Sequence, residues 1–288
     1  MGLMLLGSVA VLGALAAVYA LVEPYFTRIV TLEIRLTNLP AAFNGFRILH
    51  LTDLHTRKRG LLEKRAARLL ASERADAIFV TGDSLKALSA APVVRDLLDT
   101  VQCDGPRISV LGNAEHKPWI DQSYVEQAVR DTGVQLLVNS SLSIEKGGES
   151  IRVVGVDDAF TGRADMDAAF SGVAKDEFVV FLTHCPSVSE EAVRRGAAVV
   201  LAGHTHGGQV RFPGLPMIWT HMRSSKHVND GLYVGRQLTP AAARSVDGPA
   251  VYVSRGFGTS RLPIRFRCRP EIARIVLACA PPQGCDTG

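Results

Sequence analysis

Short apolar runs recur along this chain, and they restrict its fold more than any other feature. Phe46–Thr52, Ala77–Thr81, Arg107–Leu111, Ile151–Val156, Glu177–Thr183, Ala197–Ala202 and Ala250–Ser254 are each five to seven residues long. That length suits buried strands and is too short for helices. Helical patterns fall between several of them. Leu61–Arg74 places Leu62, Ala66, Leu69 and Leu70 on one face, with Glu63, Lys64, Arg65 and Arg68 largely elsewhere. Ser187–Arg195 follows Pro186, and Ser187 with Glu190 has the spacing of a capping box. Strands alternating with helices predict an α/β domain. No internal repeat and no linker divides residues 40–280.

A chain of 288 residues with 47% apolar and 21% charged side chains can bury a sizeable core, which excludes a disordered polymer and a small stapled scaffold. Its net charge of +4 is too mild to imply a nucleic-acid partner, and none is expected. The positive mean hydropathy of +0.15 comes largely from one segment. Met1–Val22 holds no Asp, Glu, Lys, Arg or His, and Glu23-Pro24 ends it. As a helix it would reach roughly 33 Å, enough to cross a hydrocarbon core. A cleaved signal peptide is the nearest rival, with Ala14, Ala16 and Ala20 as small cleavage positions, but the basic leader of such peptides is missing. Arg28, Arg35 and Arg47 follow the segment and no basic residue precedes it, so the expectation is a single-pass membrane protein with a cytoplasmic body and its N-terminus outside. Five cysteines, Cys103, Cys185, Cys268, Cys279 and Cys285, lack C-x-x-C spacing, which argues against a disulfide framework and a cysteine zinc site.

The chemistry gathers where the apolar runs stop. Asp53 and His55 follow the first, Gly82-Asp83 the second and Gly112-Asn113 the third; His184 follows a later run, and His204 with His206 the next. In an α/β sheet these are the carboxyl ends of strands, where the ligand crevice opens. Singly, each is an ordinary turn or a structural histidine. Together, seven nitrogen and oxygen donors at repeated topological positions point to a two-metal site, since a single zinc needs only about three protein ligands.

These blocks resemble those of calcineurin-like metallophosphoesterases: Asp53-Leu54-His55, Gly82-Asp83, Gly112-Asn113, His184 and Gly203-His204-Thr205-His206, over roughly residues 46–278. The strings Leu201–Val210, Gly155–Asp158 and Ser254–Ser260 resemble a bacterial membrane-associated branch, some of whose members cleave phosphate esters or the pyrophosphate of UDP-2,3-diacylglucosamine. The resemblance implies a four-layer αββα sandwich of two mixed sheets flanked by helices. It divides the chain into an anchor (1–22), a connector (23–45), a catalytic domain (46–280) and a tail (281–288). It implies two divalent cations, of Mn, Fe, Zn or Mg. Asp53, His55 and His206 would hold one, Asn113, His184 and His204 the other, and Asp83 would bridge them; Asn113 would also meet the substrate phosphate. Asp157, Asp158 and Thr205 are candidates to orient the histidines.

The sequence departs from that pattern at one place. The family reads Gly-Asn-His followed by Asp or Glu, the histidine binding phosphate and protonating the leaving oxygen, whereas here the run is Gly112-Asn113-Ala114-Glu115-His116. His116 is the candidate for the vacated role, against the alternative of a packing histidine. Arg211–Asp247 reads as a long excursion whose Met217, Ile218, Trp219 and Met222 would form an apolar lip for an acyl chain, with His221, Lys226 and His227 near phosphate, or would simply pack the loop down. The Arg-rich stretches Arg57–Arg65 and Arg261–Arg269 read as solvated faces, with headgroup contact as the alternative. The expected function is a membrane-anchored phosphoesterase on a lipid-linked or nucleotide-linked phosphate. The alternative is a metal- and phospholigand-binding membrane protein weakened in catalysis by Ala114.

Overall fold

Alternation along each strand sorts its side chains between two cores. In Phe46–Leu51, Phe46 and Ile48 turn to one side and Leu49 and Leu51 to the other; Ala77–Thr81 divides Phe79 from Ile78 and Val80 in the same way. In the computed structural model, which describes residues 2–212, 214–215, 217, 228–235, 238–241 and 245–280, these strands belong to two seven-stranded sheets. The first runs, from edge to edge, Ser245–Asp247, Arg28–Leu36, Glu271–Cys279, Phe46–Leu51, Ala77–Thr81, Arg107–Val110 and Gln135–Leu136. The second runs Thr239–Ala241, Gly231–Val234, Ala250–Val253, Ala197–Ala202, Val179–Leu182, Glu149–Gly155 and Ser140–Lys146.

Phe46, Ile48, Phe79, Ile108 and Ile275 of the first sheet meet Val153, Val180, Leu182, Val199 and Leu201 of the second in the central core. Leu61–Leu70, Ala91–Asp99 and Gln122–Arg130 cover the outer face of the first sheet through Leu70, Val94, Leu98 and Val129. Met166–Ala169 and Ser189–Arg194 cover the second through Met166, Ala192 and Val193. This is the four-layer αββα sandwich with mixed sheets. The middle strands pair parallel, Phe46–Leu51, Ala77–Thr81 and Arg107–Val110 in the first sheet and Glu149–Gly155, Val179–Leu182 and Ala197–Ala202 in the second, so both sheets aim the carboxyl ends of these strands at one end of the molecule.

Local readings of the sequence shift in four places. Arg28–Leu36, within the span read as a connector, is a strand paired along its whole length with Glu271–Cys279. The helix from Leu61 stops at Leu70, because Arg74–Ala75 pairs with Gln102–Cys103 in a small ribbon. No capping box starts the helix at Ser189: Pro186–Val188 form a 3-10 turn, which moves the cap to Val188, and Glu190 pairs with Arg194 instead. The excursion after Arg211 contains Gly231–Val234, antiparallel to Ala250–Val253, and Ser245–Asp247, which crosses to the edge of the other sheet. Ile218, Trp219, His221, Met222, Lys226, His227, Cys285 and the tail 281–288 lie outside the described residues. Met217 meets the Arg211 guanidinium through its sulfur at 3.4 Å.

Gly2–Val22 is one helix whose described side chains are exposed or half-buried, and Gly7–Tyr25 is long and apolar enough to cross a membrane. Its foot is fixed to the body: Arg265 donates its main-chain N–H to the Ala20 carbonyl at 2.9 Å, and the buried Glu23 accepts the Cys268 N–H at 2.9 Å.

Phe79 is fully buried between the sheets. Phe79→Ala should lower unfolding stability by about 3–5 kcal/mol, read as a shift of the urea midpoint at unchanged slope.

Candidate metal centre

Five of the seven expected donors leave their strands in a conformation side chains seldom adopt. Asp53, His55, Asp83, His204 and His206 all have φ between 46° and 70°, the left-handed region. Asp and His tolerate it better than bulkier residues, yet each still costs of order 1 kcal/mol, and such outliers cluster at functional sites. The turns also pass very close to one another. A Cβ on Gly203 would run into Thr52 and Asp53, and one on Gly112 into Asp83, so only glycine fits at either place.

The result is a buried meeting of donors. His55 Nε2 lies 3.2 Å from His206 Nε2, which lies 3.2 Å from Asp53 Oδ1. On the other side, His184 Nε2 lies 3.2 Å from His204 Nδ1, 3.3 Å from Asn113 Oδ1 and 3.4 Å from Asp83 Oδ1. Asp83 faces both halves, because its other oxygen is 3.5 Å from His55 Nε2. Donor atoms of Asp53, His55 and His206 lie within 4.8 Å of one another, as do those of Asp53, Asp83 and His184. All seven expected residues are thus brought together.

The hydrogen bonds around the cluster set which lone pairs face inward. His184 Nδ1 lies 2.8 Å from the Thr81 carbonyl, which can only accept, so a proton sits there and Nε2 is the atom that faces Asn113, Asp83 and His204. One proton on Nε2 could serve one of those three partners; a cation serves all. Asp53 Oδ1 is buried without a hydrogen-bond donor, while Oδ2 accepts the Thr52 hydroxyl at 2.9 Å and the His204 N–H at 3.0 Å. Two donors each about 2.1 Å from a shared cation sit about 3.0–3.4 Å apart, close to the separations here. The imidazole and carboxylate set therefore fits first-row divalent ions.

Burial and neighbouring charge pull the protonation equilibria apart. Burial raises the Asp53 pKa and lowers that of His55. For Asp83 burial is outweighed by His184 and His55, which hold its carboxyl far below the ordinary range. For His184 burial is in turn outweighed by Asp83, and its pKa rises well above normal.

Residues 46–208 match the family model for calcineurin-like phosphoesterases. The chain belongs to the calcineurin-like phosphoesterase family. It is a metal-dependent phosphoester hydrolase. It is 26% identical over 262 residues to the uncharacterized metallophosphoesterase YkuE of Bacillus subtilis, covering 88% of this chain and 87% of that one. It is 27% identical to a zebrafish (Danio rerio) transmembrane protein with metallophosphoesterase domain, over 93% of this chain and 61% of the relative. A UDP-2,3-diacylglucosamine pyrophosphatase, LpxG of Chlamydia trachomatis, is 29% identical over 156 residues, covering 54% of this chain and 45% of that one.

Against the family pattern Gly-Asn-His-Asp/Glu, this phosphoesterase keeps the acidic residue, and the structure explains its use. The buried Glu115 carboxylate accepts the N–H groups of Asp83, Ser84, Leu85 and Gly112 at 2.7–3.1 Å. It ties the Asp83 turn to the Asn113 turn. Burial raises its pKa to about 7. Sequence reasoning missed this role, although a carboxylate set among turn residues with open N–H groups was the available signal. It also missed Arg265. That buried guanidinium donates to the carbonyls of Arg255, Gly256, Gly258 and Cys268 at 2.6–3.2 Å, holding the loop whose Gly258 N–H caps the Asp53 carbonyl at 2.7 Å.

The residues expected to orient the histidines do other work. Asp158 accepts N–H groups of Phe160 and Thr161, Thr205 donates to the Asn229 carbonyl, and the partner of His184 is the main chain of Thr81. Asp157 binds His116 instead, Oδ1 to Nε2 at 2.6 Å, while His116 Nδ1 lies 3.1 Å from Gln122 Oε1. With 3% of its side chain exposed and both nitrogens engaged, His116 has no free N–H for a leaving oxygen. The His116 ring is thus turned to Asp157 and Gln122, and beside Asn113 the Ala114 N–H donates to Asp83 Oδ1 at 2.7 Å.

Burial works against the His116 charge, but the bond to Asp157 outweighs it and raises the pKa. A raised folded-state pKa gives stability that is full below the ordinary histidine value of about 6.5 and is lost as pH rises through the folded value. The stability difference between wild type and His116→Gln should therefore shrink as pH is raised through that window, in urea titrations at successive pH values.

Proposed function

We propose that this phosphoesterase is held in a membrane by its N-terminal helix and uses two divalent cations to hydrolyse a phosphoester or pyrophosphate of a lipid-linked or nucleotide-linked substrate. The observation that carries the dinuclear reading is Asp83, which turns one oxygen to His55 and the other to His184. Asp53, His55 and His206 would hold one cation and Asn113, His184 and His204 the other, with Asp83 between them. Two cations in such a site polarise a phosphoryl group and lower the pKa of water for in-line attack.

The chain's own residues hold this arrangement and shape its demands. Thr81 fixes the His184 ring with a proton on Nδ1, and Glu115 sets the spacing of the Asp83 and Asn113 turns; Asn113 would present its amide to a phosphate oxygen. No side chain at Ala114 protonates the leaving oxygen. The reading therefore favours leaving groups that depart as stable anions, a phosphate or an acidic alcohol, over simple alkoxides. The lipid or nucleotide part rests on the relative named UDP-2,3-diacylglucosamine pyrophosphatase, and the membrane part on the apolar helix and the transmembrane relative.

The test is metal-dependent hydrolysis of bis-p-nitrophenyl phosphate by the full chain in detergent, with Mn, Fe, Zn or Mg added. Asp83→Ala should reduce turnover by at least about a thousandfold and lower bound metal measured by elemental analysis. His116→Gln should stay within a few-fold of wild type, against the roughly hundredfold or larger loss expected on removing a general acid. Bound metal with no wild-type turnover would favour the binding-only alternative.

A further inference from the structure

The foot of the apolar helix sits in a ring of exposed aromatic and basic side chains that the metal centre does not use. Tyr19 meets Phe266 edge-on at 5.8 Å between ring centroids, and Phe266 lies 5.7 Å from Phe212. Phe26 lies between two guanidinium groups, Arg65 at 5.9 Å and Arg269 at 5.6 Å, and Arg65 also donates to the Tyr25 carbonyl at 3.1 Å. Tyr19, Tyr25, Phe26, Phe212 and Leu262 are all exposed, Leu262 to 62%. Residues 259–270 contain Arg261, Arg265, Arg267 and Arg269 and no acidic residue; of these only Arg265 is buried. Single exposed apolar residues need no explanation. A ring of them continuous with a helix that has no polar face does.

That ring is hydrogen-bonded to the loop carrying His206. Gln209, three residues on, lies 3.4 and 3.3 Å from the carbonyls of Leu262 and Ile264 through its amide nitrogen and accepts the Ser260 N–H at 2.6 Å. The main chains of Gln209 and Arg211 pair with Phe266 on either side, and the Cys268 thiol donates to the His206 carbonyl at 3.3 Å. Helix foot, ring and His206 loop form one bonded unit.

We infer that this ring is a seat on the phosphate layer of a lipid bilayer and that it holds the loop carrying His206, tied to it through Gln209 and Leu262, at that layer. Tyrosine and other aromatic rings settle at the membrane interface, and arginine pairs with phosphate. Charge and polarity thus match in order along the molecule: apolar helix, aromatic ring, arginines, then the donor cluster. The inference rests on the anchored reading above and narrows its substrate to a phosphoester carried among the headgroups on a membrane lipid.

The full chain reconstituted in phosphatidylcholine–phosphatidylglycerol liposomes provides the test. Resistance to alkaline carbonate extraction is measured first; extraction would overturn the anchored reading and the seat with it. In the retained protein, Leu262→Trp should add fluorescence that a lipid carrying a headgroup-proximal doxyl label quenches roughly twofold, with weak quenching by aqueous acrylamide. Lys175→Trp, ahead of Val179–Leu182 at the far end from His184, should show the reverse. Phe212→Trp is a second reporter on the ring. If both ring reporters respond to acrylamide and not to the doxyl lipid while the protein stays in the membrane, the seat is wrong and the anchor stands.

Discussion

Two buried carboxylates and four imidazoles are turned toward each other at little more than 3 Å, with more lone pairs facing inward than their own protons can satisfy, and much of the fold exists to keep them there. Water cannot screen these groups, since Asp53 and His184 are fully buried. The main chain is bent into the left-handed region at five of them. A protein that only needed a stable sandwich would accept neither condition. Their coexistence at one end of the sheets is the physical signature of a cation-binding centre.

What holds the cluster in place is mostly main chain. The Thr81 carbonyl receives the His184 ring N–H, joining the two sheets at the point where they converge. Behind it, burial holds His50 neutral, with a pKa of about 3, and its Nε2 meets the Thr81 hydroxyl at 2.8 Å. Glu115 gathers four N–H groups and Arg265 gathers four carbonyls, so one side chain of each sign fixes turns whose own hydrogen bonds have no strand to satisfy them.

The layers of the fold were legible because apolar runs report burial directly: Ala77–Thr81 and Ala197–Ala202 form as read. The donors were legible because Asp, Asn and His at successive strand ends need no tertiary knowledge to be noticed. The partners of those donors were not. Glu115 works mostly through the N–H groups of Asp83, Ser84 and Leu85, 30 or so positions away, and Arg265 closes a loop on carbonyls three to ten positions away that only the fold brings to Asp53. His116 shows the converse. Its place in the sequence suited an acid beside Asn113, but the turn carries its ring to Asp157, a contact across 41 residues that spacing cannot reveal. Arg28–Leu36 was hidden for a similar reason, since it pairs with the last strand rather than with its neighbour in sequence.

Only Glu23–Thr27 separates the apolar helix from the first strand of the sandwich, and Glu23 itself is buried in the body. A long flexible stalk would let a catalytic domain sample a thick shell of solution above its attachment point. Here the connection is short and tied to the body at both Ala20 and Glu23, which leaves little slack of that kind. On the anchored reading proposed above, the donor cluster would work at one height above the bilayer, and the fold would act as a ruler that selects substrates by their distance from the surface before any side chain touches them.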